Sequence, residues 1–166
     1  MIVGIWGNDK TAKTTLALTF PKPIYYFEFD LGGFDRAKGR FKAELDSIHY
    51  QRFIVPIPEL SQLMEPTFKP SKIIVGVKEL WYQFLGQYLK FLNGTDVTGV
   101  IDTGSLLYDI DCNGYLQEKQ ELQLDPQGKN ISGRELRTSL QPIEYQQPNA
   151  RMRALIYHAK AQGKHL

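Results

Sequence analysis

Hydrophobic residues recur along this chain with two different spacings. Between positions 78 and 93, Leu80, Trp81, Phe84, Leu85, Tyr88, Leu89 and Leu92 fall three and four residues apart, which puts them on one face of an α-helix. Asn93 and Gly94 supply a stop signal. The pattern predicts a helix packed on the core through that stripe. Three runs, 2–6, 24–30 and 97–102, are short, apolar and bounded by turn residues, and each predicts a buried strand. Residues 50–55 predict an additional strand. Weaker helical patterns cover 14–19, stopped by Pro21 and Pro23, then 34–45, and then 106–122 with an interruption at Asn113-Gly114. A last helix covers 148–162, with Met152, Leu155, Ile156 and Ala159 inward and Gly163 at its stop. Prolines at 56, 58, 66 and 70 predict a loop-rich stretch, and 72–75 is either a short strand or a lead into the next helix. The polar run 124–142 predicts a long loop, with Lys129, Arg134 and Arg137 among its cations.

Strands alternating with helices give an α/β fold, a mostly parallel sheet flanked by helices, in one domain over residues 1–166. Residues 164–166 read as the start of another strand. A helix that returns to a strand barely begun predicts a fragment, incomplete after Leu166.

Composition narrows the function little. The net charge of +2 is too small to argue for nucleic acid or a membrane surface by itself. A single cysteine, Cys112, excludes an intramolecular disulfide and suits a reducing, cytoplasmic setting. No apolar run is long enough to span a bilayer, and no basic segment leads into an apolar core as a signal peptide does. His49, His158 and His165 have no metal-ligand spacing with Cys112.

The chemistry concentrates at Gly7-Asn8-Asp9-Lys10-Thr11-Ala12-Lys13-Thr14-Thr15, between the first apolar run and the first helix. Read as GxxxxAKT, it is one residue from the phosphate-binding pattern GxxxxGK[ST]. Backbone N–H groups of such a loop cradle phosphates, Lys13 reaches the outer ones, and the Thr14 hydroxyl ligates Mg²⁺. The departure is Ala12, where glycine allows backbone dihedrals that a Cβ resists. Two acids stand near the end of the second strand, Glu28 and Asp30, on one face by strand alternation. Asp102 ends the 97–102 run, where a metal-associated acid is expected beside such a loop. Arg36 and Arg40, one helical turn apart, read as a solvated face, with a phosphate contact as the other reading.

Several of these motifs together resemble the phage-encoded RecA-like P-loop ATPases, often described as AAA-family or phage nucleotide-binding proteins. The resemblance rests on the loop, the turn Phe20-Pro21-Lys22-Pro23, the acid-bearing second strand with Gly32-Gly33, and Val100-Ile101-Asp102-Thr103. Pro142-Ile143-Glu144-Tyr145 and the Gly163-Lys164 exit add to it, and it is weakest between residues 43 and 94. It implies binding of ATP and Mg²⁺, with Lys13 and Thr14 at the phosphate and metal positions and Asp102 as the second metal-associated acid. Thr103 stands where many such ATPases carry a catalytic glutamate, so the base falls to Asp30 or Glu28, with Asp30 favoured at the strand tip. The γ-phosphate-sensing strand of the family would lie beyond Leu166. The resemblance also implies a DNA recombination, annealing or replication role with single-stranded DNA as partner, a cytoplasmic setting without a membrane, and a homo-oligomer with ATP at subunit interfaces. Two other readings keep the loop: a nucleotide-responsive binding module without turnover, and a small-molecule phosphotransferase, which needs a lid whose arginines close over the donor and which an acceptor pocket beside the loop would favour; residues 128–137 hold Arg134 and Arg137 but no recognisable lid pattern.

Overall fold

The computed structural model describes residues 1–8, 11–57, 59–69 and 71–166. Two of the apolar runs form β1 (Ile24–Glu28) and β3 (Thr98–Asp102), and β2 (Ile48–Arg52) forms between them in sequence. The helices are α1 (Lys13–Ala17), α2 (Gly33–Ala37), α3 (Leu60–Leu63), α4 (Val77–Asn93), α5 (Gly104–Glu121) and α6 (Gln146–Ala161). β1 is central and pairs in parallel with both neighbours, giving the order β2-β1-β3. Parallel neighbours need crossovers, and the helices that make them cover the sheet faces. The register sets Glu28 between Arg52 on one side and Asp102 on the other. All three strands therefore end at one level, each on a charged residue.

Alternation along β1 divides the core in two. Ile24 and Tyr26 pack with Leu18, Phe34, Ala37 and Ile48 on the face of α1 and α2. Phe27 and Phe29 pack on the opposite face with Phe53, Trp81, Phe84, Tyr88 and Phe91, under α4, α5 and α6. Phe27, Phe53, Phe84 and Phe91 are almost wholly buried, and burial of each such ring contributes about 1.5–3 kcal/mol.

The α/β expectation holds, and its details differ in places. Residues 2–6 form no regular strand. Their start is tied to the end of the chain, where Val3 donates to the Leu166 carbonyl at 2.8 Å and Leu166 donates to that of Met1 at 3.0 Å. On its other side, His165 bridges Thr98 in parallel, so residues 165–166 lie between β3 and residues 1–3. The helix expected over 34–45 breaks after Ala37 into two 3₁₀ turns, Lys38–Arg40 and Lys42–Ser47, with Gly39 lowering helix propensity at the break. The strand expected at 50–55 sits two residues earlier, because Ile48 pairs with Ile24 and is buried with it. Residues 72–75 are an irregular lead into α4.

The helix read at 78–93 is present as α4. Its stripe is slightly rotated: Leu89 is exposed and Phe91 is fully buried. The interruption expected at Asn113-Gly114 is absent, since α5 continues through it. Gly114 instead allows close approach to α4, where a Cβ would lie 3.3 Å from the Lys78 Cα. Two buried glutamines of α5 satisfy the chain entering α4. Gln117 accepts from the Val77 and Lys78 N–H groups, and Gln120 accepts from Ile74 while donating to the Lys72 and Arg137 carbonyls. The long segment after α5 is irregular apart from a bridge between Leu124 and Asn130 and a 3₁₀ turn, Pro142–Tyr145. Among the described residues, no helix is long and apolar enough to cross a membrane.

Candidate functional site

The loop precedes α1, whose first turn meets the carboxyl end of β3 through Thr14 and Asp102. Asp9 and Lys10, which the sequence pattern includes, lie outside the described residues. Thr11 donates its hydroxyl to the Asn8 carbonyl at 2.8 Å. The Lys13 ammonium turns back across the loop and donates to the carbonyls of Gly7 at 2.9 Å and Asn8 at 2.8 Å. No carboxylate among the described residues pairs with it. Ala12, exposed beside it, has φ 62° and ψ 23°. It is the one non-glycine residue with positive φ among those described. The position where the phosphate-loop pattern specifies glycine is thus the position whose backbone favours glycine.

Thr14, on the first turn of α1, meets Asp102 across 88 residues of chain. Its hydroxyl donates to Asp102 Oδ2 at 2.9 Å. The Tyr26 hydroxyl donates to the same oxygen. Burial, reinforced by the adjacent Asp102 carboxylate, holds the Tyr26 phenol far above its ordinary pKa, so it remains a proton donor at physiological pH. Gly33 completes the arrangement: a Cβ there would lie 2.8 Å from Asp102 Oδ2 and 3.4 Å from Thr14 Oγ1. The missing side chain keeps space open beside these two oxygens.

Among the described residues, no three His, Cys, Asp or Glu side chains converge as a metal cage. Thr14 and Asp102 instead offer one hydroxyl and one carboxylate, both hard oxygen donors. Such a set suits Mg²⁺, which keeps waters and takes only one or two protein oxygens when phosphates supply the rest.

The two acids of the second strand occupy different environments. Glu28 is fully buried. Its Oε1 accepts from the Phe34 N–H at 3.0 Å, and its Oε2 accepts from Arg52 Nε at 2.8 Å and from the Tyr50 hydroxyl. Burial alone would raise its pKa. The Tyr50, Phe34 and Arg52 hydrogen bonds outweigh that effect and hold it below the usual carboxylate value. Tyr50, largely through burial and then through Glu28, is raised to about 12. Glu28 therefore locks β1, β2 and α2 together. Asp30, two residues on, is exposed, and its N–H donates to the Asp102 carbonyl at 3.1 Å.

A cleft of about 530 Å³ gathers these groups. Its lining includes the loop residues 11–15, the acids Asp30 and Asp102, and Arg36 and Arg40. Glu28 does not reach this cleft. A smaller cavity of about 150 Å³ shares Lys13, Thr14, Asp102 and Thr103 with it and is lined also by Val3, Ile5, Val100 and Leu166 among others. The structure thus brings Lys13, Thr14, Asp30 and Asp102 together. Sequence reading did not find Tyr26 or Gly33. Tyr26 has the same parity as Glu28 and Asp30 along β1, which was the available signal. Gly33 carried none beyond the pair Gly32-Gly33.

Comparison with known protein families, with curated proteins and with solved structures found no match.

Proposed function

We propose that this chain is a P-loop protein of RecA-like type that binds ATP with Mg²⁺ on residues 7–15 and hydrolyses it in phage DNA metabolism. The observation that carries the reading is the 2.9 Å contact of Thr14 with Asp102. A hydroxyl directly after the loop lysine and a carboxylate at a parallel strand's end are the two protein oxygens that a Mg²⁺–triphosphate site requires. The lysine, the left-handed residue at the glycine position and the open space at Gly33 all support it.

The residues divide the work. Lys13 would exchange its two loop carbonyls for the outer phosphate oxygens. Thr14 and Asp102 would hold Mg²⁺, which when bound offsets phosphate charge. Tyr26 would hold Asp102 in place. Asp30, exposed in the cleft with no paired cation among the described residues, would accept a hydrogen bond from the attacking water and orient it. Glu28 supports this geometry from beneath, through Phe34 and Arg52. DNA as partner, and ATP shared between copies of the chain, rest on the resemblance of the motifs alone.

One observation favours a second reading. The cleft beside the loop is lined by Arg36 and Arg40 as well as by Lys13, and room beside the loop with cations in its lining suits a phosphotransferase. Phosphate release from ATP, measured with and without single-stranded DNA beside a Lys13→Ala variant, separates the readings. Release that needs Lys13 and rises with DNA supports the ATPase. Lys13-dependent binding without release to water favours the binding module or the transferase. Wild-type and Lys13→Ala proteins that behave alike overturn the proposal.

A further inference from the structure

We propose that Arg36 and Arg40 form, within the same chain, an anion-binding wall of the cleft that also contains Lys13, and that they take a phosphoryl group there. The inference rests on the phosphate-loop reading and adds to it the partner side of the site. Its basis is the distribution of cations around β1 and α2. Arg52 is held by Glu28 and Asp35, Lys38 by Asp35, and Lys22 by Glu44. Arg36 and Arg40 are exposed, and among the described residues neither has a carboxylate partner. Both line the cleft that contains Lys13, Thr14 and Asp102.

Local geometry explains why these two point there. Phe34 and Ala37 bury the inner side of α2, and Asp35 turns outward to Lys38 and Arg52. Arg36 folds over the Gly32 turn that follows β1, with its Nη1 3.3 Å from where a Gly32 Cβ would stand. Gly32 has φ 87°, so glycine serves that position twice, in backbone and in space. Arg40 follows on the 3₁₀ turn after α2. The described lining then holds three cations, Lys13, Arg36 and Arg40, against two carboxylates, Asp30 and Asp102. Three cations around one cleft suit a group that carries several anionic oxygens. A guanidinium also offers paired N–H donors that match phosphoryl oxygens. The volume falls within the usual range for small-ligand sites, roughly 300–1,000 Å³.

The phosphoryl group has two sources: the terminal phosphate of the nucleotide on the loop, or a phosphate of a second substrate. Equilibrium binding of tripolyphosphate, ADP and a non-hydrolysable ATP analogue, each with Mg²⁺, tests the wall. Wild type is compared with Arg36→Gln, Arg40→Gln, the double variant and Lys13→Ala. Inorganic phosphate is also titrated into the ADP-loaded protein. Both arginines are exposed, and unchanged thermal unfolding verifies that the variants fold.

Loss of charge-assisted hydrogen bonds predicts about tenfold weaker binding per arginine. If the wall holds the terminal phosphate, the double variant weakens the ATP analogue and tripolyphosphate but not ADP. If it holds a second substrate, analogue affinity is unchanged, and phosphate binding to the ADP-loaded protein is lost. Double-variant titrations that all match wild type, while Lys13→Ala abolishes binding, overturn the arginine wall and leave the loop reading standing. Wild type that binds none of these anions overturns both.

Discussion

Replacing Ala12 with glycine should stabilise the protein, the reverse of what this substitution does in a helix. Ala12 is exposed, so the lost methyl forfeits little packing. Its φ of 62° and ψ of 23° lie in the left-handed region, which costs an L-residue about 1–2 kcal/mol. Glycine removes that strain but adds freedom to the unfolded chain, a penalty of about 0.4–1 kcal/mol. The first helical hydrogen bond, from Leu16 to the Ala12 carbonyl at 2.9 Å, is a backbone contact and survives. The balance is a gain of about 0.5–1 kcal/mol, or roughly 1–4 °C in Tm for a chain of this size. Ala154→Gly is the control, an exposed alanine within α6, expected to lose about 1 kcal/mol. Urea unfolding of both variants reads the sign directly. An Ala12→Gly variant destabilised as much as Ala154→Gly would refute the left-handed assignment and, with it, the loop geometry.

Other perturbations test the surroundings of the site. Glu28→Ala leaves the Tyr50 hydroxyl and the buried Phe34 N–H without their acceptor and takes from Arg52 one of its two carboxylates, Asp35 remaining, and urea unfolding should show a loss of about 3 kcal/mol. Because the folded pKa of Glu28 is depressed, its contribution is present above the unfolded value near about 4.3 and is lost as pH falls through the folded one. Glu28→Gln should lack that acid-side loss. Asp111 behaves oppositely: burial, only partly offset by Arg151, raises it to about 6 from 3.8. The stability tied to its proton is full below pH 3.8 and declines by about 3 kcal/mol as pH rises through 6. Asp111→Asn should flatten that slope in unfolding curves taken from pH 4 to 7. Gly33→Ala drives a methyl against Asp102 and Thr14. It should weaken Mg²⁺-dependent nucleotide binding about tenfold, a loss of about 1.4 kcal/mol, with a smaller effect on Mg²⁺-independent binding.

The order of elements was legible because β1, β3 and α4 are strongly patterned. Loop and acid could also be paired in advance, since strand ends in a parallel sheet converge on one level. Distinguishing Glu28 from Asp30 was only half legible. Alternation put them on one face, but the three hydrogen bonds that bury Glu28 come from Phe34, Tyr50 and Arg52, and two of those donors lie more than 20 positions away. Gly114 read as a break because an isolated glycine lowers helix propensity. Its actual service, letting α4 approach α5, is a tertiary contact invisible to a local window. Arg36 and Arg40, read as a solvated face, are exposed; that they share a cleft with Lys13 is a tertiary arrangement no local window shows.

The most direct test of the central claim is the equilibrium affinity for ATP with Mg²⁺, measured by calorimetry on wild type and Lys13→Ala. A phosphate loop predicts saturable binding that Mg²⁺ strengthens and that Lys13→Ala weakens at least tenfold, about 1.4 kcal/mol. Equal affinity in the two proteins, or none in either, would contradict it.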